Sequence, residues 1–579
     1  MSKKNKNIKR SSIQQFVVGI IIIISLNVIS YYIFTRVDLT SENRYSLTEP
    51  TKRLLKEVDD IVFFKVYLEG DFPAGFKNLR QETKEMLDEF RAYNGNIEYQ
   101  FIDPSTAGNS EEVNDFYKQL VGKGLKPTEL YVNESSGSSN KVIFPGAIVS
   151  YGNKEVPVEF LVSQKGMSPE KALNSSIQNL EYSIVNAIKK LISKHRSNVG
   201  FIIGHGELTE AETMDIAHTM SEFYNLERVN IDGNINSLVK RDSIISDIKV
   251  SLKYDAIVIA KPTKSFTEKD KFIIDQYLMY GGKIMWLVDP VIASMDSLQK
   301  TPSTMAITND LNLTDMLFNY GVKLNANLIK DINCGAIPIV TGNVGGQPQQ
   351  KFFPWYYFPI IMPQQNHPIV SNIDAIKTDF VSSLDIINVK DVKSTPLLST
   401  SKYSHVKNVP VLISLEEMRE KPDVQKYQDQ EQLVGVLLEG NFKSVYENRV
   451  PPAIKDNPLI GFKGKSVDSK MIVFSDGDII RNQLHYSKGY PLPLGFDQFT
   501  GQTFANSELI MNAMSYLIDE KGIISAKSKD FEIRLLDPTK ISGDKVIKWQ
   551  MINVILPILL IILFGIVRNQ YRKRKYSRR

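Results

Sequence analysis

Ala256-Ile257-Val258-Ile259-Ala260, a helical pattern from Thr267 to Tyr280, a stop at Gly281-Gly282, and Lys283-Ile284-Met285-Trp286-Leu287-Val288 running out on Asp289-Pro290 decide the fold. An apolar run, a helix and a second apolar run at this spacing predict neighbouring parallel strands joined by a crossover helix. Working outward, Val199 to Ile203 is a similar run that ends on Gly204-His205-Gly206-Glu207, with a helical pattern through Tyr224. Met471 to Phe474, ending on Ser475-Asp476-Gly477-Asp478, and a helix from Ser507 to Leu517 can complete the same sheet after a long interruption. The expected class is α/β with an open parallel sheet, whose ligand crevices lie at the strand carboxyl ends.

Toward the N-terminus, Ser46 or Thr48 before Glu49-Pro50 marks a helix start, because a hydroxyl accepts from orphan amides and proline gives none up. Ile61 to Leu68 is of strand length and rich in Val and Phe, and Phe76 to Tyr93 carries apolar residues at helical spacing closed by Asn94-Gly95. Ile97 to Ile102 is a second strand, so this region predicts a βαβ unit. A thioredoxin-like order would suit it, but Cys-x-x-Cys is absent and no redox role follows. The Ser- and Gly-rich stretch Asn133 to Asn140 predicts a flexible loop, Gly152-Asn153 a hairpin turn within Ile148 to Phe160, and Gln178 to Leu191 an amphipathic helix. Gly342 to Pro363, rich in Gly, Pro and Gln, predicts an irregular excursion.

Two apolar segments free of Asp, Glu, Lys and Arg, Phe16 to Phe34 and Met551 to Val567, approach the roughly 20 residues that cross a bilayer core. Lys3, Lys4, Lys6, Lys9 and Arg10 precede the first, and Arg568, Arg572, Lys573, Arg574, Lys575, Arg578 and Arg579 follow the second. The positive-inside bias puts both tails in the cytoplasm and the large middle outside it. A cleavable signal peptide is the competing reading of the first segment, but Tyr31-Tyr32-Ile33-Phe34 offers interfacial aromatics and no small-residue cleavage site. The division expected is a basic tail (1–15), a span (16–35), an N-terminal α/β domain (36–170), a larger α/β domain (171–530) with an irregular insertion at about 330–400, a linker (531–549), a second span (550–567) and a second basic tail (568–579).

The formal charge of +5 belongs to the tails: between the spans stand 58 Lys and Arg against 65 Asp and Glu, a balance of −7. A mildly acidic domain lacks the basic footprint of nucleic-acid binding. Cys334 is the single cysteine, so no intramolecular disulfide forms.

The loop Gly204-His205-Gly206-Glu207 has the most enzyme-like composition, since glycines let backbone approach a ligand and His and Glu serve as acid, base or metal ligand. The competing reading is a tight strand-to-helix turn with capping side chains. Asp476 and Asp478 on one turn could hold a hard cation, against the competing reading of a turn with a capping Asp, and Asp289 at another strand end is a further ligand candidate. The aromatic run Phe352 to Pro359 offers Trp355, Tyr356 and Tyr357 as a partner surface, or else a buried crossing strand. The six histidines form no His-x-x-x-His pair, no Gly-x-Ser-x-Gly elbow occurs, and Gly461 to Ser466 misses a phosphate loop because Leu459 stands where its first Gly belongs. No catalytic residue, metal or cofactor is assigned.

The Asp38-Leu39-Thr40 to Tyr45-Ser46-Leu47-Thr48 segment after the anchor, the Glu181-Tyr182 helix, Gly204-His205-Gly206-Glu207, the Gly281-Gly282 to Asp289-Pro290 strand and Ser475-Asp476-Gly477-Asp478 together resemble the gliding-motility-associated ABC-transporter auxiliary family of the GldG type. The resemblance covers most of the chain, both anchors included. It implies an inner-membrane, substrate-binding-like protein whose periplasmic region serves a transporter with a separate ATPase subunit and multi-span permease, in support of gliding motility. It also implies a glutamine-amidotransferase-like α/β fold without catalytic residues. Two spans cannot by themselves line a transport path, which points to the same partners. An extracytoplasmic hydrolase-like enzyme using His205 and Glu207, and an envelope tether or sensor without transport, are the alternatives.

Overall fold

The structure, a computed structural model, describes residues 14, 16–25, 46–134, 137–162, 168–193, 196–244, 247–344, 347–363, 367–418, 422–519, 522–528 and 544–576. It divides into two units, Met1–Lys529 and Asp530–Arg579.

The N-terminal sheet is built from β1 (Val62–Val66), β2 (Ile97–Phe101), β3 (Gly146–Tyr151) and β4 (Lys154–Glu159) in the order β2-β1-β3-β4. β1 and β2 are parallel, joined by α1 (Ala74–Tyr93), and β3 and β4 form the hairpin expected around Gly152-Asn153. α1 buries Leu79, Leu87 and Phe90. It ends at Tyr93 with Asn94 as its cap, at the expected Asn94-Gly95 stop; Asn94 is extended, and its carboxamide donates to the carbonyls of Leu55 (2.6 Å) and Val58 (3.0 Å), tying α1 to the helix Glu49–Leu55. Of the stretch Asn133 to Asn140 expected as a loop, residues 135 and 136 lie outside the described residues, and the rest belongs to strands Thr128–Glu134 and Gly137–Ile143, which pair antiparallel.

α2 (Pro169–Ile192), capped by Ser168, leads into the larger sheet. That sheet comprises β5 (Asn198–Ile203), β6 (Asn225–Asn230), β7 (Ala256–Ala260), β8 (Lys283–Leu287), β9 (Val392–Ser399), β10 (Leu433–Gly440) and β11 (Ser469–Phe474), in the order β9-β10-β11-β8-β7-β5-β6. The five strands β6, β5, β7, β8 and β11 are parallel, and β10 runs against both its neighbours. All five residues of β7 are buried, as a strand covered on both faces requires. Val258 joins a core with α3 (Met214–Ser221) and α5 (Asn506–Ile518), while Ile257 and Ile259 join a core with α4 (Glu268–Met279). α4 starts on the Thr267 hydroxyl, which accepts from Asp270 N–H at 3.2 Å. It stops at Gly281, whose φ of +95° suits glycine, and at Gly282, where a Cβ would lie 2.3 Å from the Tyr277 ring.

The expected irregular excursion is instead a long antiparallel hairpin, Cys334–Val344 with Gln347–Ile361. Register shifts between Cys334 and Ala336 and between Val340 and Gly342 interrupt the pairing, and Gly342 itself pairs with Gln349. Trp355, Tyr356 and Tyr357 are only 1%, 6% and 1% exposed, which corrects their reading as a partner surface. Trp355 and Tyr357 pack with Phe380 and Ile413 in a separate core, and Tyr356 faces Tyr427 at 5.9 Å.

α6 (Asp544–Tyr576) contains the one helix, Ile547–Tyr571, that is long and apolar enough among the described residues to cross a membrane. It begins within the stretch expected to be linker. Phe16–Ser25 is a shorter apolar helix, and residues 26–34 of the expected first span lie outside the described residues.

Candidate functional site

Along the parallel strands the chain steps outward from β5 to β6 and then returns to β7 on the other side of β5. A doubly wound sheet opens a crevice at the carboxyl ends where the order reverses, here between β5 and β7. Gly204-His205-Gly206-Glu207 follows β5 and Lys261-Pro262-Thr263 follows β7, and the two loops are stitched together. The His205 carbonyl accepts from Thr263 N–H (2.9 Å) and Lys264 N–H (2.8 Å), and the Thr263 hydroxyl donates to the Gly206 carbonyl (2.9 Å). Gly206 has a φ of +74°, and a Cβ there would lie 2.2 Å from the Thr263 hydroxyl oxygen, so this close approach needs glycine. A cavity of about 420 Å³ opens at this point, lined among others by Glu207, Lys261, Asp289, Ile292, Asn309 and Arg481.

Two ion clusters flank the crevice. In the first, His205 lies flat on Phe266, centroids 3.8 Å apart, with Nδ1 3.3 Å from Glu207 and Nε2 3.2 Å from Asp270. Burial works against the imidazolium, but the two carboxylates outweigh it and raise the His205 pKa. Asp270 also accepts from Gly233 N–H (2.8 Å) and the Thr267 hydroxyl (2.8 Å). Burial opposes its ionisation, yet these donors and His205 hold its carboxyl below the usual range.

The second cluster stands at the ends of β7, β8 and β11. Lys261, in a left-handed conformation (φ +53°), places its ammonium 3.2 Å from Asp289 Oδ2 and in contact with Asp478 Oδ2. Such a backbone costs a non-glycine residue roughly 1–2 kcal/mol, offset here by ion pairing. Asp289 also accepts from Gly477 N–H, and Gly477 lets its turn close on Lys261: a Cβ there would lie 2.6 Å from Lys261 Cβ. Asp476 is fully buried, with one oxygen accepting from Asp478 N–H (2.7 Å) and the other from Asp379 N–H (2.9 Å). Arg481 bridges Asp478 (3.3 Å) and Glu212 (3.0 Å).

Burial pushes Asp289, Asp379 and Asp476 above the ordinary carboxylate range, Asp476 furthest because Asp478, Asp289 and Asp379 add like charge. Burial also opposes ionisation of Asp478, but Lys261 and Arg481 overcome it and hold that group low. Oxygens of Asp289, Asp476 and Asp478 lie within 4.8 Å of one another. Two unit charges at that distance repel by about 3 kcal/mol at an effective dielectric constant of about 20. A divalent ion would suit such a spacing, but the Lys261 ammonium already pairs with two of the three.

Asp289 and the Asp476–Asp478 turn, candidates at two different strand ends, are thus brought into one cluster, and Gly204 to Glu207 form the opposite lip of the same crevice. Trp355, Tyr356 and Tyr357 belong to the insertion core. Sequence reasoning missed Lys261, Asp270, Asp379 and Arg481. Lys261 carried a signal, being the first residue after a fully apolar strand. Asp379, delivered by the insertion, carried none.

The family described as "ABC-type uncharacterized transport system" matches residues 196–513, and a domain of unknown function matches residues 41–150. An "Uncharacterized protein" of Borreliella burgdorferi is 23% identical over 559 residues, covering 94% of this chain and 95% of the relative. Among solved structures, the mmIFT52 N-terminal domain aligns with 55% of this chain and 97% of its own at 12% identity, with a TM-score of 0.30.

Proposed function

Because the chain belongs to the auxiliary family of ABC-type transport systems, we propose that it is a non-enzymatic, membrane-anchored subunit that holds a partner or substrate at the crevice between β5 and β7. The observation that carries this reading is that the crevice's ionisable groups are tied to one another. His205 has both ring nitrogens on carboxylates, and Lys261 and Arg481 are each shared between two. A general base needs a free position toward its substrate, and a nucleophile needs activation. Cys334 offers none, since burial pushes its thiol up to about 12. A lip whose groups are held by one another suits recognition.

Family membership supports transporter partners, which in this proposal are a separate ATPase and a multi-span permease. The apolar helix Ile547–Tyr571 supports membrane attachment. The basic residues flanking both apolar segments support two spans in an inner membrane, with cytoplasmic tails and a periplasmic domain. Service to gliding motility is the finest part of the proposal and draws on the resemblance alone; it predicts that deletion abolishes colony spreading. The test of the whole is crosslinking in native membranes and capture through a C-terminal tag. Recovery of an ATPase with a multi-span permease is expected. Recovery of envelope proteins with no ATPase would favour the tether.

A further inference from the structure

The cluster at the ends of β7, β8 and β11 holds more acid than base. Asp289, Asp379, Asp476 and Asp478 come together from β8, the insertion and the turn after β11. The cations facing them are Lys261, Lys377 and Arg481. Two of these have outside counter-charges: Lys377 pairs with Asp497 at 3.0 Å, and Arg481 with Glu212 at 3.0 Å. Lys261 is left to balance four aspartates. The resulting excess of negative charge is costly in a buried site, and such groups reduce it by taking up protons.

The geometry also says where. Asp478 is held by Lys261 and Arg481, and Asp289 by Lys261 and Gly477 N–H. Both oxygens of Asp476 accept backbone N–H groups, one of them from Asp379 itself. Asp379 Oδ1 is buried and has no hydrogen-bond partner in the structure, so an O–H there displaces no donor. Asp379 as a whole keeps some exposure, which lets the proton exchange with solvent.

We propose that the Asp379 and Asp476 pair forms a proton-binding site that carries one proton at neutral pH, and that this proton holds residues 376–383 against the carboxyl end of the sheet. The segment is also docked by the Ser475 hydroxyl donating to the Ser382 carbonyl (2.6 Å), by Ser382 N–H donating to the Ser475 carbonyl (3.3 Å), by Asn506 bonded to both backbone groups of Lys377 (3.0 and 2.9 Å), and by Ile376 and Val381 in the core. Losing the proton adds a negative charge between the two elements and favours their separation. The lip of the crevice is thereby coupled to the pH of its compartment, whatever the crevice holds.

Hydrogen exchange on the full chain in detergent tests this without any transport partner, so its failure is separable from failure of the transport reading. Protection of 376–383, corrected for intrinsic exchange, is expected to fall by up to about tenfold per pH unit from the ordinary carboxylate range up to the docked pair's titration point, the slope for one linked proton, and to level off above it. Residues 256–260 of β7 serve as the control. Asp379→Asn, which mimics the protonated group and loses no accepted side-chain bond at Oδ1, is expected to flatten that slope. A pH-independent wild type, or a variant that keeps the slope, overturns the proposal. Should the variant fail to fold, infrared spectra of the wild type at neutral pH decide: a carboxylic-acid band is expected, and its absence overturns the proposal.

Discussion

The two sheets of this chain share a strand-helix-strand construction and differ in what stands at the carboxyl ends of their parallel strands. β1 runs into the buried apolar residues Tyr67 and Leu68, and the chain after β2 reaches Asp103, which caps a short turn by accepting from Ser105 N–H at 2.9 Å. The ion pair near these ends, Arg80 with Glu69 at 2.6 Å, is about one-third exposed on each side. In the larger sheet the equivalent ends carry His205, Lys261, Asp289, Asp476 and Asp478, each buried or nearly so. Burying so much charge is costly unless it is paired, so its concentration at one set of strand ends marks the working face.

The contrast is most sharply tested at Lys261. Lys261→Met leaves Asp289 and Asp478 buried without their shared cation and is expected to lower stability by about 3–5 kcal/mol in denaturant melts of the full chain. A loss below about 1 kcal/mol would make the two sheets equivalent in this respect.

How far these differences could be foreseen depends on where the residues lie. β7 is five consecutive apolar residues bounded by polar ones, and α4 is bracketed by Thr267 and Gly281-Gly282, so the sheet was legible from local pattern alone. The same rule located Gly204 to Glu207, Asp289 and Asp476 to Asp478 at strand ends. Their convergence was not legible, because strand order is set by pairing between residues as far apart as Ile284 and Met471. The insertion was misjudged because Gly, Pro and Gln signal turns locally, whereas a paired partner strand with bulges accommodates them. Trp355 and Tyr357 become core only when Phe380 and Ile413 are delivered to them from elsewhere.

Gly477→Ala sharpens the comparison from the other side. Its new Cβ would press on Lys261 Cβ and Cα, at 2.6 and 2.9 Å, and drive apart the ends of β7 and β11. An expected loss of about 1–3 kcal/mol, typical of overpacking, is checked by the same melts. His205→Gln removes a group whose folded pKa is raised above 6.5. The stabilisation from His205 is fully present below pH 6.5 and is lost as pH rises through the folded value. The stability gap between wild type and variant should therefore narrow with rising pH, and a gap that widens would mean that the carboxylates do not govern this imidazole. Arg80→Ala, in the N-terminal domain, has the smallest expected effect, below about 1 kcal/mol, because its ion pair is partly solvated.

The central claim, that the crevice between β5 and β7 is the surface through which this subunit works, is tested most directly by site-specific photocrosslinking in native membranes. A photoreactive side chain is placed at Ile292 on the crevice rim, which is about half exposed, and in parallel at Val121, comparably exposed on the N-terminal domain. A discrete crosslinked partner or cargo from position 292, and none from 121, is the result predicted. Discrete products from 121 with none from 292 would contradict the claim and move the working face to the N-terminal domain.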